Sequence, residues 1–389
     1  MIKIKGIQKE KFNNKKCLLR LDLNIPLSES GEILDDTRII ESKPSIDFLI
    51  NQGAKVIIIS HIGRPKGEFV EKLSFKHLIN EIELRIKKEI VFINYKDQKD
   101  ALNIINSKDN GTLFMLDNLR FNSGEENNED SFINYLSGIA DVFINDGFGT
   151  IHRNHASITG IANKINSYGG ILLEKEIKNI SECMLSESSK STAILGGAKI
   201  SDKIPIIENI SSSFDNLVIT GGMIKPFLIA SGKISNSIDL QNDKEVQIAK
   251  KILSNNKKLI IPEQLICAKS LEDEPILLNA SQIEDTDNIY DIGPNSLSEI
   301  SNLILNSDKI IWNGPPGVYE NQPFQNGTKT IVKAIINSES KITVAGGGST
   351  VAAINYFNSA DYFSHISTGG GAFLSLLEGK FLQGIEVLK

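Results

Sequence analysis

The chain has 389 residues, of which 40% are hydrophobic, and 42 lysines and arginines stand against 48 aspartates and glutamates for a formal net charge of −6. This length is typical of two domains, each with its own hydrophobic core. The acidic balance argues against a nucleic-acid partner, so we expect any functional cations to be gathered in a local cleft.

The start of the chain and its hydropathy indicate no targeting or membrane segment. The opening Met1-Ile-Lys-Ile-Lys lacks the apolar core of a signal peptide, and no window approaches the roughly 18 uninterrupted apolar residues that a membrane span needs. Cys17, Cys183 and Cys267 are far apart and form no C-x-x-C pair. Buried thiols in a reducing compartment fit this usage, and we expect a cytoplasmic protein without a membrane partner.

Short β-branched runs alternate with longer helical stretches through the first half of the chain. The predicted strands are Cys17–Leu23, Lys55–Ser60, Thr112–Leu116 and Val142–Asp146, and the predicted helices are Arg38–Asn51, Ser74–Lys88 and Asn128–Ile139. This alternation predicts a parallel sheet with helices on both faces, whose ligands gather beyond the carboxyl ends of the strands.

Polar side chains follow these predicted strands. They are Asp22 and Asn24, His61 and Arg64, Asn118 and Arg120, and Arg153 with His152 and His155, while Arg38 opens the first helix. Four arginines and a histidine at one sheet edge imply a small, multiply anionic ligand held by charge-assisted hydrogen bonds. Taken singly, His61 is more often structural, and Arg38 could pair with Asp35 or Asp36. His152 and His155 are weak metal candidates because no motif supplies a third ligand.

A helical stretch over residues 168–188 is predicted to connect the two domains, and a second alternating series follows it. Its predicted strands are Thr192–Leu195, Leu217–Thr220, Lys258–Ile261, Lys309–Asn313, Ile342–Ala345 and Asp361–Ser364. Glycines follow most of these strands, at 196–197, 221–222, 314, 317, 346–348 and 369–371. Because glycines allow close backbone approach to a phosphorylated ligand, they predict a nucleotide site.

The stretch from Ala193 to Lys203 is the strongest local candidate for phosphate binding. We predict a strand, a turn at Gly196-Gly197, and then a helix whose first turn projects Lys199 and Lys203 from one face. An ordinary strand–helix turn with two solvated lysines fits the same residues. The sequence has no G-x-x-x-x-G-K-[ST] loop and no complete dinucleotide fingerprint, which argues against the common phosphate loop and against a dehydrogenase.

Seven sequence blocks stand in order along almost the whole chain. They are Arg20-Leu-Asp-Leu-Asn-Ile-Pro26, Ser60-His-Ile-Gly-Arg-Pro-Lys-Gly67, Leu119-Arg-Phe121, Asn145-Asp-Gly-Phe-Gly149, Leu195-Gly-Gly-Ala-Lys199, Trp312-Asn-Gly-Pro315 and Ser367-Thr-Gly-Gly-Gly-Ala372. Together they resemble the signatures of the phosphoglycerate kinase family. The resemblance implies an α/β protein of two Rossmann-like domains, each a parallel sheet with helices on both faces, joined by a connector helix.

The resemblance also implies an activity and a function for each segment of the chain. Residues 1–167 would bind phosphoglycerate, 168–188 would form the connector helix, 189–372 would bind nucleotide, and 373–389 would return to the first domain. The implied enzyme moves a phosphoryl group reversibly between 1,3-bisphosphoglycerate and ADP, giving 3-phosphoglycerate and ATP, with Mg²⁺ carried on the nucleotide. It would act as a monomer whose domains close about hinges near Glu174 and Ser367–Gly371.

Residue roles follow from the matching motifs. The implied phosphoglycerate site comprises Asp22, Asn24, Arg38, His61, Arg64, Arg120 and Arg153. The implied nucleotide site comprises Gly197, Lys203, Asn313, Glu320, Gly347, Gly348, Ser349 and Thr350, with Glu320 meeting the ribose. The implied catalytic residues, which meet the phosphoryl group in transfer, are Arg38 and Lys199.

One departure from the family concerns Ser349. The family usually has an aspartate after the triple glycine, where its carboxylate helps to place magnesium. A neutral hydroxyl is a poorer ligand for a hard cation, so Ser349 would be a weak metal ligand and Mg²⁺ would rely on nucleotide oxygens and water. Smaller differences fall at Ile224-Lys225-Pro226 and Glu263-Gln264.

Two functional classes therefore remain. The first is an active kinase, which the retention of Lys199, Lys203 and Arg38 favours. The second is a catalytically impaired relative that serves as a phosphoglycerate- or nucleotide-binding module.

Overall fold

The computed structural model describes residues 2–94, 98–188, 190–234, 243–256 and 258–389. Up to Gly169 the strands are β1 (Lys16–Arg20), β2 (Lys55–Ile59), β3 (Ile90–Ile93), β4 (Leu113–Leu116), β5 (Val142–Asn145) and β6 (Ser167–Gly169). The helices between them are α1 (Thr37–Asn51), α2 (Ile79–Ile86), α3 (Gln98–Ser107), α4 (Ser123–Glu126) and α5 (Asp130–Gly138).

These six strands form one parallel sheet in the order β3-β4-β2-β1-β5-β6. The chain leaves β1 toward β2 on one side and later returns to β5 on the other. The carboxyl ends of β1 and β5 are therefore a topological switch point, where open α/β sheets leave a crevice for ligands.

The apolar character of the central strands follows from burial on both faces of this sheet. In β1, Cys17 and Leu19 pack into one core cluster, whereas Leu18 packs into the cluster on the opposite face. In β2, Val56 and Ile57 divide in the same way. Because successive side chains of a strand point to opposite faces, a strand covered by helices on both sides needs an uninterrupted apolar run.

The remaining strands are β7 (Ser191–Gly196), β8 (Asn216–Thr220), β9 (Leu259–Ile260), β10 (Gln264–Ala268), β11 (Ile276–Asn279), β12 (Asn288–Ile292), β13 (Lys309–Asn313), β14 (Ile342–Ala345) and β15 (His365–Ile366). The remaining helices are α6 (Ile171–Leu185), α7 (Ile204–Ile210), α8 (Ile224–Ala230), α9 (Lys244–Asn255), α10 (Pro294–Leu305), α11 (Asn326–Ile336), α12 (Gly348–Tyr356), α13 (Gly370–Leu377) and α14 (Gln383–Glu386).

Six of these strands form a second parallel sheet in the order β15-β14-β13-β7-β8-β9. Read outward from β7, this is the strand order of a dinucleotide-binding Rossmann sheet, with its switch point between β7 and β13. The other three strands form a small antiparallel sheet in the order β11-β10-β12.

The chain divides into two compact units. Unit one comprises Met1–Lys178 and Phe381–Lys389, and unit two comprises Asn179–Lys380. The last segment is fastened inside unit one, where the N–H of Lys5 donates to the carbonyl of Leu388 at 2.8 Å. The domain boundaries expected from the sequence stay predictions. They fall between residues 167 and 168, 188 and 189, and 372 and 373, and residue 189 itself lies outside the described residues.

The predicted fold class, parallel sheets with helices on both faces in both halves of the chain, is confirmed. The sequence did not predict β3, β6, α3 or the antiparallel sheet. The strand predicted at Asp361–Ser364 is wrong, because Ala360–Tyr362 forms a 3₁₀ turn and pairing with β14 begins only at His365. After this turn, Ser364 exchanges hydrogen bonds of 2.8–2.9 Å with Thr343 through its backbone N–H and its hydroxyl, before the strand begins.

Candidate functional site

Neighbouring strand ends in unit one bring the predicted phosphoglycerate residues to one sheet edge. Asp22 and Asn24 follow β1, His61 and Arg64 follow β2, Arg120 follows β4, Arg153 follows β5, and Arg38 lies in the first turn of α1. Because β4, β2, β1 and β5 are adjacent in that order, their loops lie side by side beyond the switch point.

Arg38 is held at this edge by the loop after β1. Its Nη1 lies 3.0 Å from Oδ2 of Asp22 and donates to the carbonyl of Asn24 at 2.8 Å. The side-chain oxygen of Asn24 accepts from the N–H of Gly63 at 2.9 Å, which ties the β1 loop to the β2 loop. Arg38 thus pairs with Asp22, whereas Asp36 pairs with another arginine.

His61 is buried behind these loops. Its Nδ1 lies 3.2 Å from Nη2 of Arg20 and 4.0 Å from Oδ1 of Asp22. Burial, followed by the charges of Arg20 and Arg120, holds the pKa of His61 well below its usual value, so the ring is neutral. Its Nε2 is buried and has no hydrogen-bond partner among the described residues.

The remaining arginines crowd the same edge. Arg120 is buried, donates from Nη1 to the carbonyl of Gly63 at 2.8 Å, and lies 3.0 Å from Glu126 through Nη2. Burial lowers the pKa of Arg120, and although Glu126 raises it, the charge of Arg153 lowers it further. Arg153 is half-buried and Arg64 is exposed. Such a concentration of cations favours a ligand with several negative charges.

Two buried side chains at this site were not predicted as functional from the sequence. Arg20 is the last residue of β1, and Glu125 lies in α4. Glu125 accepts hydrogen bonds from Ser157, and its Oε1 lies 3.6 Å from Nδ1 of His155. Burial raises the pKa of Glu125, but the hydrogen bond from His155 and the charge of Arg20 outweigh it and leave the pKa below its usual value. The sequence offered one signal for these two residues, namely that an arginine, Arg20, stands at the end of an apolar strand.

In unit two the predicted helix start after the glycine turn is wrong. Helix α7 begins at Ile204, so Lys199 and Lys203 precede it and do not share the face of a first helical turn. Pro205 explains the difference, because it has no N–H to bond back into an earlier turn and its ring would clash there. Lys203 is buried, whereas Lys199 is exposed.

Lys203 nevertheless reaches the switch point of the second sheet. Its Nζ donates to Oδ1 of Asn313, and Nδ2 of Asn313 donates to the carbonyl of Gly346 at 2.7 Å. Next to Asn313, the N–H of Gly314 donates to Oγ1 of the buried Thr350 at 2.7 Å. These bonds join the segment after β7 to the ends of β13 and β14. Burial lowers the pKa of Lys203.

Two glycines at this switch point cannot carry a side chain. Gly314 has a φ of +96°, and a Cβ there would lie 2.4 Å from the carbonyl oxygen of Gly196. Gly347 has a φ of +101°, and a Cβ there would lie 2.5 Å from Nδ2 of Asn313. At Gly314 the backbones of two neighbouring strand ends therefore approach each other directly, and at Gly347 the backbone approaches the side chain of Asn313.

The remaining predicted nucleotide residues line the same edge. Gly197 adjoins Lys203, since a Cβ at Gly197 would lie 3.3 Å from Cε of that lysine. Gly348 and Ser349 are exposed in the first turn of α12, where backbone N–H groups have no acceptor within the helix and attract anions. Lys199 and Glu320 are exposed and lie outside the hydrogen-bonded cluster of Lys203, Asn313 and Thr350 in the described structure.

The residues that the structure describes do not form a metal cage. Over residues 2–94, 98–188, 190–234, 243–256 and 258–389, no group of three or more histidine, cysteine, aspartate or glutamate side chains has the arrangement that would hold a metal ion. Where the resemblance to the family implies an aspartate, this chain has the exposed hydroxyl of Ser349. A single neutral hydroxyl of this kind is a weak ligand for a hard divalent cation.

The fold and these side chains define a two-unit α/β protein with clustered arginines at one sheet's switch point and a buried lysine among glycines at the other's. The family model described as phosphoglycerate kinase matches residues 7–380. Curated phosphoglycerate kinases from Orientia tsutsugamushi (strain Ikeda) and Fervidobacterium nodosum are 39% and 38% identical. These alignments cover 100% and 96% of this chain, and 98% and 95% of the relatives.

Solved structures agree with the sequence comparisons. The phosphoglycerate kinase of Coxiella burnetii matches with a TM-score of 0.88 at 31% identity, covering 99% of both chains. The enzyme of Pyrococcus horikoshii OT3 matches with a TM-score of 0.84 at 28% identity, covering 99% of this chain and 98% of the other. The chain belongs to the phosphoglycerate kinase family, as its seven sequence blocks predicted. In the ranges that the structure describes, no helix is both long and apolar enough to cross a membrane.

Proposed function

We propose that this chain is a working phosphoglycerate kinase, which transfers a phosphoryl group reversibly between 1,3-bisphosphoglycerate and ADP to give 3-phosphoglycerate and ATP. The observation that carries the proposal is the family match over residues 7–380 in a chain whose two sheets each present a charged site at their switch points. Because both sites are retained, a role limited to binding is not favoured.

The anion site of unit one is assigned to phosphoglycerate. Its proposed ligands are Asp22, Asn24, Arg38, His61, Arg64, Arg120 and Arg153. The planar guanidinium groups suit the phosphate, because each can donate two parallel hydrogen bonds. Neutral His61, with an unpaired buried nitrogen, suits an oxygen of the carboxylate end.

The edge of unit two is assigned to the nucleotide. Its proposed ligands are Gly197, Lys203, Asn313, Glu320, Gly347, Gly348, Ser349 and Thr350, with Glu320 on the ribose. The first turn of α12 suits the phosphates, since its N–H groups attract negative charge. Mg²⁺ would enter on the nucleotide, with Ser349 as a weak ligand.

The transfer itself needs little covalent help from the protein. The attacking oxygen is already a carboxylate or phosphate oxygen, so no general base is required, and positioning and charge neutralisation supply most of the catalysis. We assign charge neutralisation on the transferring group to Arg38 and Lys199. The two substrates are assigned to different units, so hinge-bending closure is part of the proposal.

We also propose that the enzyme works as a monomer in the cytoplasm, in glycolysis. Cys17, Cys183 and Cys267 are buried free thiols, and burial, the largest cause for each, raises the pKa of all three to about 12. Unreactive thiols of this kind fit a reducing compartment.

The test is direct. Pure protein is incubated with ATP, magnesium and 3-phosphoglycerate in hydroxylamine, which traps the acyl phosphate product as a hydroxamate. We expect hydroxamate and ADP in equal amounts, both dependent on 3-phosphoglycerate, and little of either from Arg38→Ala. A protein that binds both substrates and forms no hydroxamate would overturn the proposal.

A further inference from the structure

Behind the candidate phosphoglycerate site lies a line of hydrogen bonds in which only His61 has a role in the residue assignments above. It joins Glu125, Ser157, Arg20 and His61, which come from four separate segments and are each at most 2% exposed. We propose that Glu125 and Ser157 are positioning residues that hold Arg20, and through it His61, in the geometry that receives phosphoglycerate. The inference rests on the proposed function, because it concerns the same substrate site.

The direction of each hydrogen bond follows from the chemistry of its members. A guanidinium has only donors, and an ionised carboxylate has only acceptors. Between them, Oγ of Ser157 accepts from Nε of Arg20 at 3.0 Å and donates to Oε1 of Glu125 at 2.6 Å. The N–H of Ser157 donates to the second oxygen of the same carboxylate at 3.0 Å. One carboxylate thus fixes both the backbone and the hydroxyl of Ser157.

This arrangement also determines which nitrogen of His61 carries the proton. Arg20 can only donate, so Nδ1 of His61, 3.2 Å from Nη2, must be the acceptor. A neutral imidazole with an accepting Nδ1 carries its proton on Nε2. That N–H is buried without a partner among the described residues, which costs free energy until an acceptor arrives. An oxygen of bound phosphoglycerate would be such an acceptor.

Glu125 has an electrostatic role in the same line. Burial lowers the pKa of Arg20, and the charge of Glu125, followed by that of Asp22, raises it. Removing one partner of a buried charge pair leaves the other uncompensated, so a neutral residue at 125 should displace or mobilise Arg20. Because Arg20 holds Nδ1 of His61, the disturbance should reach the substrate side of the ring.

The experiment compares Ser157→Ala, Glu125→Gln and the double variant with a matched control, Ser42→Ala. Ser42 is also a buried serine of unit one, and its hydroxyl donates only to the carbonyl of Ile39 in its own helix, at 2.7 Å, among the described contacts. Calorimetry measures the dissociation constant of 3-phosphoglycerate, and steady-state kinetics measure KM for ATP.

We expect each single variant to bind 3-phosphoglycerate about tenfold or more weakly, the loss typical of a hydrogen bond to a charged group. KM for ATP should not change. The double variant should bind 3-phosphoglycerate no more weakly than the weaker-binding of the two single variants, because both residues act through the same line of hydrogen bonds. Ser42→Ala should bind 3-phosphoglycerate like the wild type. Additive losses, or equal losses in Ser157→Ala and Ser42→Ala, would overturn the inference.

A second measurement does not depend on the folding of Glu125→Gln or on turnover. Nitrogen NMR of histidine-labelled wild type should show His61 protonated at Nε2 alone, and Ser157→Ala should show exchange between the two tautomers. A wild-type ring protonated at Nδ1 would overturn the inference by itself. An inactive wild type with the expected NMR pattern and 3-phosphoglycerate affinity would instead defeat only the proposed function.

Discussion

Lys203 donates a hydrogen bond from its ammonium group to the side-chain oxygen of Asn313, and the amide nitrogen of the same asparagine donates to the carbonyl of Gly346. One asparagine at the end of β13 therefore joins the segment after β7 to the end of β14 at the switch point of the second sheet. Its two polar atoms are both used, so the geometry of this edge depends on an amide at position 313.

Replacing Asn313 should therefore affect the nucleotide and spare phosphoglycerate. In Asn313→Ala, buried Lys203 and the carbonyl of Gly346 each lose a partner, and we expect KM for ATP to rise about tenfold to a hundredfold. Steady-state kinetics with each substrate varied in turn check this. Asn313→Asp is the matched control: it keeps an acceptor for Lys203 and loses only the donor to Gly346, so it should be less impaired. Equal changes in both KM values would contradict the assignment.

Arg38 should contribute to the rate more than to binding. Its Nη1 contacts Asp22 and the carbonyl of Asn24, which orients the guanidinium before substrate arrives. We expect Arg38→Ala to lower kcat about a hundredfold or more, the loss typical of one donor to developing transition-state charge. Arg38→Lys keeps the charge but not the bidentate geometry, and should recover only part of that rate. A variant with raised KM and unchanged kcat would remove Arg38 from the catalytic role.

Ser349 sets the magnesium requirement in our interpretation. Its hydroxyl is exposed in the first turn of α12, at the position where the resemblance to the family implies a carboxylate. In Ser349→Asp we expect the magnesium concentration for half-maximal activity to fall several-fold, because a carboxylate is a better ligand for a hard cation. Ser349→Asn, which has the same shape without the charge, should leave the requirement near that of wild type. An equal effect of both variants would show that charge is not the cause.

Asp291 should make the stability of unit two depend on pH. It is buried at β12, and its Oδ2 accepts from the N–H of Gly327 at 2.7 Å, while Oδ1 has no partner among the described residues. Burial raises the pKa of Asp291 to about 7, against about 3.9 in an unfolded chain. The folded state therefore binds the extra proton between these values, and the stabilisation is complete below about pH 4 and lost as pH rises through about 7.

Denaturant unfolding of wild type and Asp291→Asn from pH 5 to pH 8 checks this dependence. The asparagine mimics the protonated acid and does not titrate. As pH rises over this interval, the free energy of unfolding of wild type should therefore fall by a few kcal/mol relative to that of Asp291→Asn. Asp291→Leu loses the acceptor for Gly327 and should be destabilised at every pH. Parallel curves for wild type and Asp291→Asn would show that Asp291 is ionised throughout.

Local sequence patterns determined the fold class and the ordering of the sites along the chain. Short β-branched runs such as Val56–Ile59 predicted the strands of parallel sheets with helices on both faces, and polar residues or glycines after these strands predicted ligands at their carboxyl ends. These inferences need only residues that are close in sequence, because the burial pattern of a strand and the chemistry of a turn depend on residues a few positions apart. The family blocks then predicted the membership that the comparisons show.

Only the tertiary structure decided which charges are buried and what they touch. Arg20 and Ser157 are separated by 137 residues, and Arg20 and His61 by 41, so no local pattern reports that they form one line. Tertiary structure likewise placed Lys203 on Asn313, 110 residues away, and started α7 at Ile204. The physical reason is that burial and pairing depend on which segments the sheet order brings together. That order was established by strand pairing across the whole chain.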